Sequence, residues 1–403
     1  MLTPPSALAA RALGLHQDML TVDTHCDTPS SLLLKGYDIS ARHGCGTLLG
    51  GDIDLARMRE GGLAAAFFAV FVAQGPLTPE GYAQARHSAD NLLEHLERMF
   101  ETCSADCERA LTPADARRIH AAGKRAIFLG LENGYPLGLD LARLDTYHQR
   151  GVRYVTLCHA ADNDLCASST SGFSTGASGM ASRERADTGL TPFGARVVAR
   201  MNDLGMMVDV SHVSDRTVED VLKISRAPVL ASHSGARAVS AHPRNLADDQ
   251  IRSIAAGGGV VQVSFVPEFL RPCAPNPGDP ARWRLWQRMT RHYADHAIGE
   301  DPATDAAFEG EHQALLRQFP PVQATVSDVA DHIGHVAKLV GIEHVGIGSD
   351  FDGGGRLGDC RDVSELPALT AELLRRGYTP ADIRLIWGGN VLRVLEAVQA
   401  LGR

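Results

Sequence analysis

Eight short runs rich in Val, Ile, Leu, Phe and Ala recur along the 403-residue chain, bounded by Gly, Asp or Pro: residues 19–27, 63–72, 125–133, 152–159, 206–212, 228–234, 259–266 and 344–352. Most are apolar at nearly every position, the pattern of strands buried on both faces of a parallel sheet. Helical spacing of apolar residues fills the gaps, at 81–102, 112–122, 192–204, 214–225, 248–256, 325–340 and 379–401. Thr112 with Asp115, and Ser214 with Thr217, supply capping side chains at helix starts, and Pro113 suits a first helical turn. Strand alternates with helix almost throughout. Eight such strands predict an α/β fold closed into a (β/α)8 TIM barrel rather than an open sheet. Barrels of this kind reach such lengths as one unit with insertions, so residues 1–403 are read as a single barrel domain.

Two connections are too long for simple loops: 160–189 after the fourth strand and about 267–324 after the seventh. In a barrel both belong to the face that carries the active site. The first contains SSTSGFSTGASGMAS, whose Ser, Thr and Gly content suits a mobile cover. The second holds Trp283, Trp286 and an Arg-rich helical pattern, which suits a small subdomain or a subunit contact.

Metal-binding residue types stand at the ends of these runs. His25 and Asp27 end the first, Glu132 the third, His159 the fourth, His212 the fifth, His233 the sixth and Asp350 the eighth. The carboxyl ends of barrel strands meet on one face, so residues far apart in sequence converge on one pocket. In His25-Cys26-Asp27, side chains two apart along a strand point the same way, so His25 and Asp27 can share one ion while Cys26 turns toward the helices. A second ion needs a bridging carboxylate and more imidazoles, which Glu132, His212 and His233 offer. Zinc suits such a donor set, and manganese or cobalt would fit similar ligands. Water between two cations roughly 3.5–4 Å apart ionises near neutral pH and becomes a hydroxide nucleophile. Asp350 is placed for proton relay and His159 for stabilising an oxyanion.

Each residue taken singly has a plainer reading, as a satisfied polar group or a helix cap. The weight lies in seven of them falling at strand ends. Asp209 is out of phase with its neighbours, which suits orienting a nearby group or capping a helix. Asp352 rivals Asp350 from the same phase, but Asp350 directly ends the apolar run. Arg244, in a polar segment beyond His233, has the planar fork that grips a carboxylate, and reads equally well as a surface arginine. The clusters Gly257-Gly258-Gly259 and Gly353-Gly354-Gly355 lack the P-loop and dinucleotide-binding patterns and are read as tight turns.

Composition removes several other functions. A net charge of −9 without a clustered basic patch argues against nucleic acid. No run approaches the ~20 apolar residues of a membrane span, and the start, MLTPPSALAARALGLHQDML, lacks the core of a signal peptide. The eight cysteines are scattered and read as reduced thiols; Cys103 and Cys107 form only a lone C-x3-C, read as half-buried or surface thiols. A cytoplasmic protein is expected.

The segments VDTHCDTP, GLENGYPLG, GVRYVTLCHAADNDLCASST, MMVDVSHVSD, VLASHSGARAVSAHPRNLADD, HVGIGSDFDGG and GGNVLRVLE, from about residue 20 to the end, resemble the membrane (renal-type) dipeptidase family of amidohydrolase-like metallohydrolases. The resemblance implies two zinc ions per subunit, one held by His25, Asp27 and Glu132 and the other by Glu132, His212 and His233. It further implies that His159 contacts substrate and oxyanion, Arg244 binds the terminal carboxylate, and Asp350 hands a proton to the leaving amine. A small dipeptide substrate, with a D residue accepted at its second position, and a homodimer are also implied. The anchor of the animal members is not expected here. Val266 stands beside Phe265 where family members often carry another aromatic residue. The alternative function is a related amidohydrolase acting on N-acyl amino acids or lactones; a third reading is a non-catalytic binding barrel.

Overall fold

A computed structural model describes residues 7–44, 48, 51–171, 187–274 and 276–402. Among these residues nine strands form one sheet: β1 (Val22–Cys26), β2 (Ala65–Phe71), β3 (Cys107–Arg109), β4 (Arg125–Glu132), β5 (Val152–Thr156), β6 (Met207–Asp209), β7 (Leu230–Ser234), β8 (Val260–Val263) and β9 (Val345–Ile347). Every pairing is parallel, in the order β1-β2-β4-β5-β6-β7-β8-β9, and β3 lies beside β4 off that path. The ring closes between its ends: Asp27 N–H donates to Phe351 O at 2.9 Å and Asp350 N–H to His25 O at 3.0 Å. The result is a (β/α)8 barrel in which all eight expected strands occur, plus the three-residue β3 that the sequence reading did not anticipate.

Alternation along the strands sorts the apolar side chains into two layers. Phe67, Phe128, Tyr154, Met207, Leu230 and Val260 form one buried cluster with the helix Asn390–Leu401. Phe68, Ile127, Leu129, Val155 and Val208 face the other way and pack against the surrounding helices. Gly130 makes room inside the barrel: a Cβ there would lie 2.1 Å from the Tyr154 ring. Phe128 stacks on Phe67 at 4.6 Å and Phe67 meets the Tyr154 ring at 5.5 Å with a 31° tilt, so aromatic rings rise through the interior toward the strand tips.

Pro79–Thr102, Pro113–Ala121, Pro192–Leu204, Asp215–Ile224, Asp248–Ala256 and Val326–Val340 form the expected helices. Thr112 and Asp115 form a reciprocal capping box, and the Ser214 hydroxyl caps Thr217 N–H. The C-terminal helical stretch is broken by a π-turn at Leu385–Gly389. Ala7–Asp18, Leu55–Gly61, Ala142–Gln149 and Pro367–Arg375 are helices the pattern did not reveal. The insertion after β8 contains the helices Asp279–Asp295 and Pro302–Gln318, packed on Leu34 through Met289 and Tyr293. The Ser-, Thr- and Gly-rich cover expected after the fourth strand falls largely on residues 172–186, outside the described residues. Cys103 and Cys107 are buried rather than half-exposed, and all seven described cysteines are unpaired. Among the described residues no helix is long and apolar enough to cross a membrane.

Candidate metal centre

The strand tips end in backbone that forces their side chains into the mouth. Among the described residues, Asn133, His212, Asp350 and Asp352 are the non-glycine residues with positive φ, at 77°, 69°, 63° and 66°. Left-handed conformations of this kind cost free energy and persist where surrounding structure imposes them. Asn133 directly follows Glu132, and its side chain donates to Val72 O at 2.9 Å, which secures the turn. Gly353 is required by space: a Cβ there would lie 2.1 Å from Asp27 Oδ2 and 2.2 Å from Asp350 Oδ1.

These constraints bring seven residues of the sequence reading together. Glu132 lies at the centre. Its Oε2 is 3.4 Å from His25 Nε2, and its Oε1 is 3.3, 3.6 and 3.7 Å from the Nε2 atoms of His212, His159 and His233. His25 Nε2 also lies 3.7 Å from Asp27 Oδ2 and 4.0 Å from Asp350 Oδ1. Three overlapping sets have ligand atoms within 4.8 Å of one another: His25, Glu132 and His233; Glu132, His159 and His212; and His25, Asp27 and Asp350. The His25 and His233 rings stack at 3.8 Å, and His212 Nε2 is 2.8 Å from His233 Nε2. Asp352, the rival of Asp350, is occupied elsewhere, accepting from the Thr28 hydroxyl at 2.5 Å and from Asp52 N–H at 2.6 Å.

The donor set fits divalent cations. His25 Nε2, Asp27 Oδ1 and Glu132 Oε2 are buried without a hydrogen-bond partner, although buried polar atoms are nearly always paired. A cation would satisfy all three. Burial pushes His212 and His233 well below the ordinary imidazole range and His159 down to about 4, so at neutral pH each ring is uncharged and keeps one unprotonated nitrogen, as ligation requires. Burial raises Asp27, with Glu132 adding repulsion, and carries Asp350 well above the usual carboxylate range, reinforced by Asp27 and Glu132. Burial alone would lower His25, but Tyr154, Glu132 and Asp27 together hold it well above its usual value. The carboxylate side of the site therefore demands positive charge.

Arg244 is buried rather than on the surface. Its Nη2 donates to His233 O at 3.0 Å, its Cζ lies 5.1 Å over the Phe269 ring, and its Nε has no partner. Burial lowers it to about 10, against the pull of Asp350, so it stays cationic at neutral pH.

Two supporting groups escaped the sequence reading. Tyr154 reaches His25 Nδ1 at 2.8 Å from inside the barrel; as an aromatic residue within an apolar strand it gave no sign of that contact. Asp23 accepts from the hydroxyl of Ser349 at 2.5 Å across the β1–β9 seam, a pairing that needs the strand register to be known. Asp209 does orient a neighbour, accepting from the Ser232 hydroxyl at 2.6 Å.

The sequence model for membrane dipeptidase (peptidase family M19) matches residues 9–403. Dipeptidase tcpJ of Claviceps purpurea is 32% identical over 357 residues, 87% of this chain and 70% of that protein. Among solved structures, the probable dipeptidase PvdM from Pseudomonas aeruginosa superposes with a TM-score of 0.80 at 32% identity, covering 99% of this chain and 100% of that one. A metallopeptidase from Rhodobacter sphaeroides, liganded with a phosphinate mimic of the dipeptide L-Ala-D-Ala, gives a TM-score of 0.70 at 26% identity over 94% of this chain and 100% of that one.

Proposed function

Because this chain belongs to the membrane dipeptidase family, peptidase family M19, we propose that it is a zinc-dependent dipeptidase that binds two ions per subunit. His25, Asp27 and Glu132 would hold one ion, and Glu132, His212 and His233 the other. Bound there, the cations supply Lewis acidity, polarising the peptide carbonyl and lowering the pKa of water. The remaining work falls to the chain's own side chains. Arg244 grips the substrate's terminal carboxylate with its charged fork. Neutral His159 donates its ring N–H to the oxygen that gains charge as the carbonyl is attacked. Asp350 takes a proton from the attacking water and passes it to the leaving nitrogen; burial and its acidic neighbours Asp27 and Glu132 raise its proton affinity above that of an ordinary carboxylate.

The observation that carries the reading is Glu132, whose two oxygens face different imidazoles, His25 on one side and His159, His212 and His233 on the other. That is the placement a carboxylate shared by two cations requires. The L-Ala-D-Ala mimic in the Rhodobacter sphaeroides relative supports acceptance of a D residue at the second position. The unpaired thiols support a cytoplasmic setting, and we read the enzyme as a homodimer, which sedimentation tests directly.

The deciding experiment combines metal analysis with a panel of L,L and L,D dipeptides and N-acyl amino acids. About two zinc ions per chain and release of free amino acids from dipeptides are expected. Hydrolysis of N-acyl amino acids alone would transfer the site to that neighbouring chemistry. A protein that binds no transition metal and hydrolyses nothing would be a binding barrel.

A further inference from the structure

Beneath the imidazoles lies a hydrogen-bond arrangement that the chemistry above does not use. Asp209, at the end of β6, is fully buried. Its Oδ1 accepts the backbone N–H groups of Ser211 at 3.0 Å and Ser232 at 2.8 Å. Its Oδ2 accepts the hydroxyls of Thr156 and Ser232, both at 2.6 Å. The Ser232 oxygen is in turn 2.8 Å from His233 Nδ1.

A serine hydroxyl has one proton to donate. The Asp209 carboxylate at 2.6 Å takes it in preference to Ser211 Oγ at 3.4 Å. Toward His233 the Ser232 oxygen is therefore an acceptor, and Nδ1 carries the ring proton. That leaves the lone pair on Nε2, which lies 2.8 Å from His212 Nε2 and 3.7 Å from Glu132 Oε1.

The same clamp recurs across the barrel with one difference. Asp23 Oδ1 accepts the N–H groups of His25 at 3.2 Å and Ser349 at 2.8 Å, and its Oδ2 accepts the Ser349 hydroxyl at 2.5 Å. Each clamp thus ties an aspartate on one strand to the serine that precedes a site residue on the next. At β9, however, the serine oxygen accepts from Phe351 N–H at 3.1 Å and reaches no imidazole. Strand fastening is common to both clamps; contact with a ligand ring belongs to one.

We propose that Asp209, acting through Ser232, is a positioning residue that holds His233 in the Nδ1-protonated tautomer and the ring orientation that metal binding at Nε2 demands. The proposal rests on the metallohydrolase reading above. Partners of this kind change metal affinity by about 10- to 100-fold when removed.

The test is chelator competition on the zinc-loaded, full-length protein, comparing wild type with Ser232→Ala, Ser349→Ala and Ser232→Thr. Ser232→Ala should weaken one of the two zinc sites about 10- to 100-fold. Ser349→Ala should leave both within about threefold, and Ser232→Thr, which keeps the hydroxyl, should restore the affinity. Equal weakening by the two alanine variants, or none by Ser232→Ala, overturns the positioning role. Nitrogen-15 spectra of the wild-type histidine rings give an answer that needs no variant to fold: His233 must be protonated at Nδ1, and a proton at Nε2 overturns the proposal. Wild-type protein that binds no zinc would instead end the metallohydrolase reading, a distinct outcome.

Discussion

The interior of the barrel and its mouth are built from the same strands yet follow opposite rules. Inside, Phe67, Phe128 and Tyr154 pack ring against ring, and Gly130 gives way so that they fit. That is packing for stability. Beyond the strand tips of the same sheet, the backbone turns left-handed at His212 after β6 and at Asp350 after β9, carboxylates crowd together and buried atoms lack partners. Single orphaned atoms occur elsewhere, as at His16 Nε2 and Gln262 Oε1. Among the described residues, the candidate metal sets all lie at the mouth. The contrast separates residues that fill the interior from residues whose buried polar atoms converge without partners.

Substitutions that should affect one region and spare the other test this division. The largest effect is expected for Glu132→Gln, which removes the charge facing both sides of the site: turnover should fall by at least about 10⁴-fold and zinc content should collapse, while the melting curve of the metal-free protein stays close to wild type. A loss of folding with retained zinc would break the comparison. Asp350→Asn comes next. It should keep both zinc ions and lose about 10³-fold in kcat, the scale of a missing proton shuttle; loss of metal would make Asp350 a ligand instead. Phe128→Ala should do the reverse, costing roughly 3–4 kcal/mol of stability by chemical denaturation, with KM and zinc affinity of the folded fraction unchanged. Smallest is Arg244→Ala, which should raise KM for dipeptides by about 10- to 30-fold, the value of a charged hydrogen bond, and leave amidated dipeptides almost unaffected. Equal effects on both substrates would remove its carboxylate role.

How much of this could be read from sequence follows the same division. Apolar runs announce strands because burial on both faces demands them at every position, and all eight barrel strands were legible for that reason. The strand Cys107–Arg109 was not: its three residues, Cys-Glu-Arg, contain no apolar run. The helix Ala142–Gln149 was missed because Leu141 offers no side-chain cap and its apolar face is weak. At the mouth, residue type and position after a strand were enough to nominate His25, Asp27, Glu132, His159, His212, His233 and Asp350, which the structure places together. Their supports were hidden. Whether Tyr154 meets His25, or Ser232 meets both Asp209 and His233, depends on which residues face each other across neighbouring strands, and local sequence does not encode that register. The burial of Arg244 was hidden likewise, since it depends on Phe269 and His233 arriving from other segments.

The two aspartate clamps have a consequence for how such a barrel can change over generations. Asp23 and Asp209 fasten the chain below the strand tips, by hydrogen bonds to adjoining strands. The long connections beyond the tips are not needed for that fastening. The connection after β5 is not so free, because Ser169 N–H donates to His212 O at 2.8 Å and the Ser168 hydroxyl to His159 O at 2.5 Å; length and sequence can drift with least disturbance to the imidazoles in the helices Asp279–Asp295 and Pro302–Gln318, which pack on Leu34 instead.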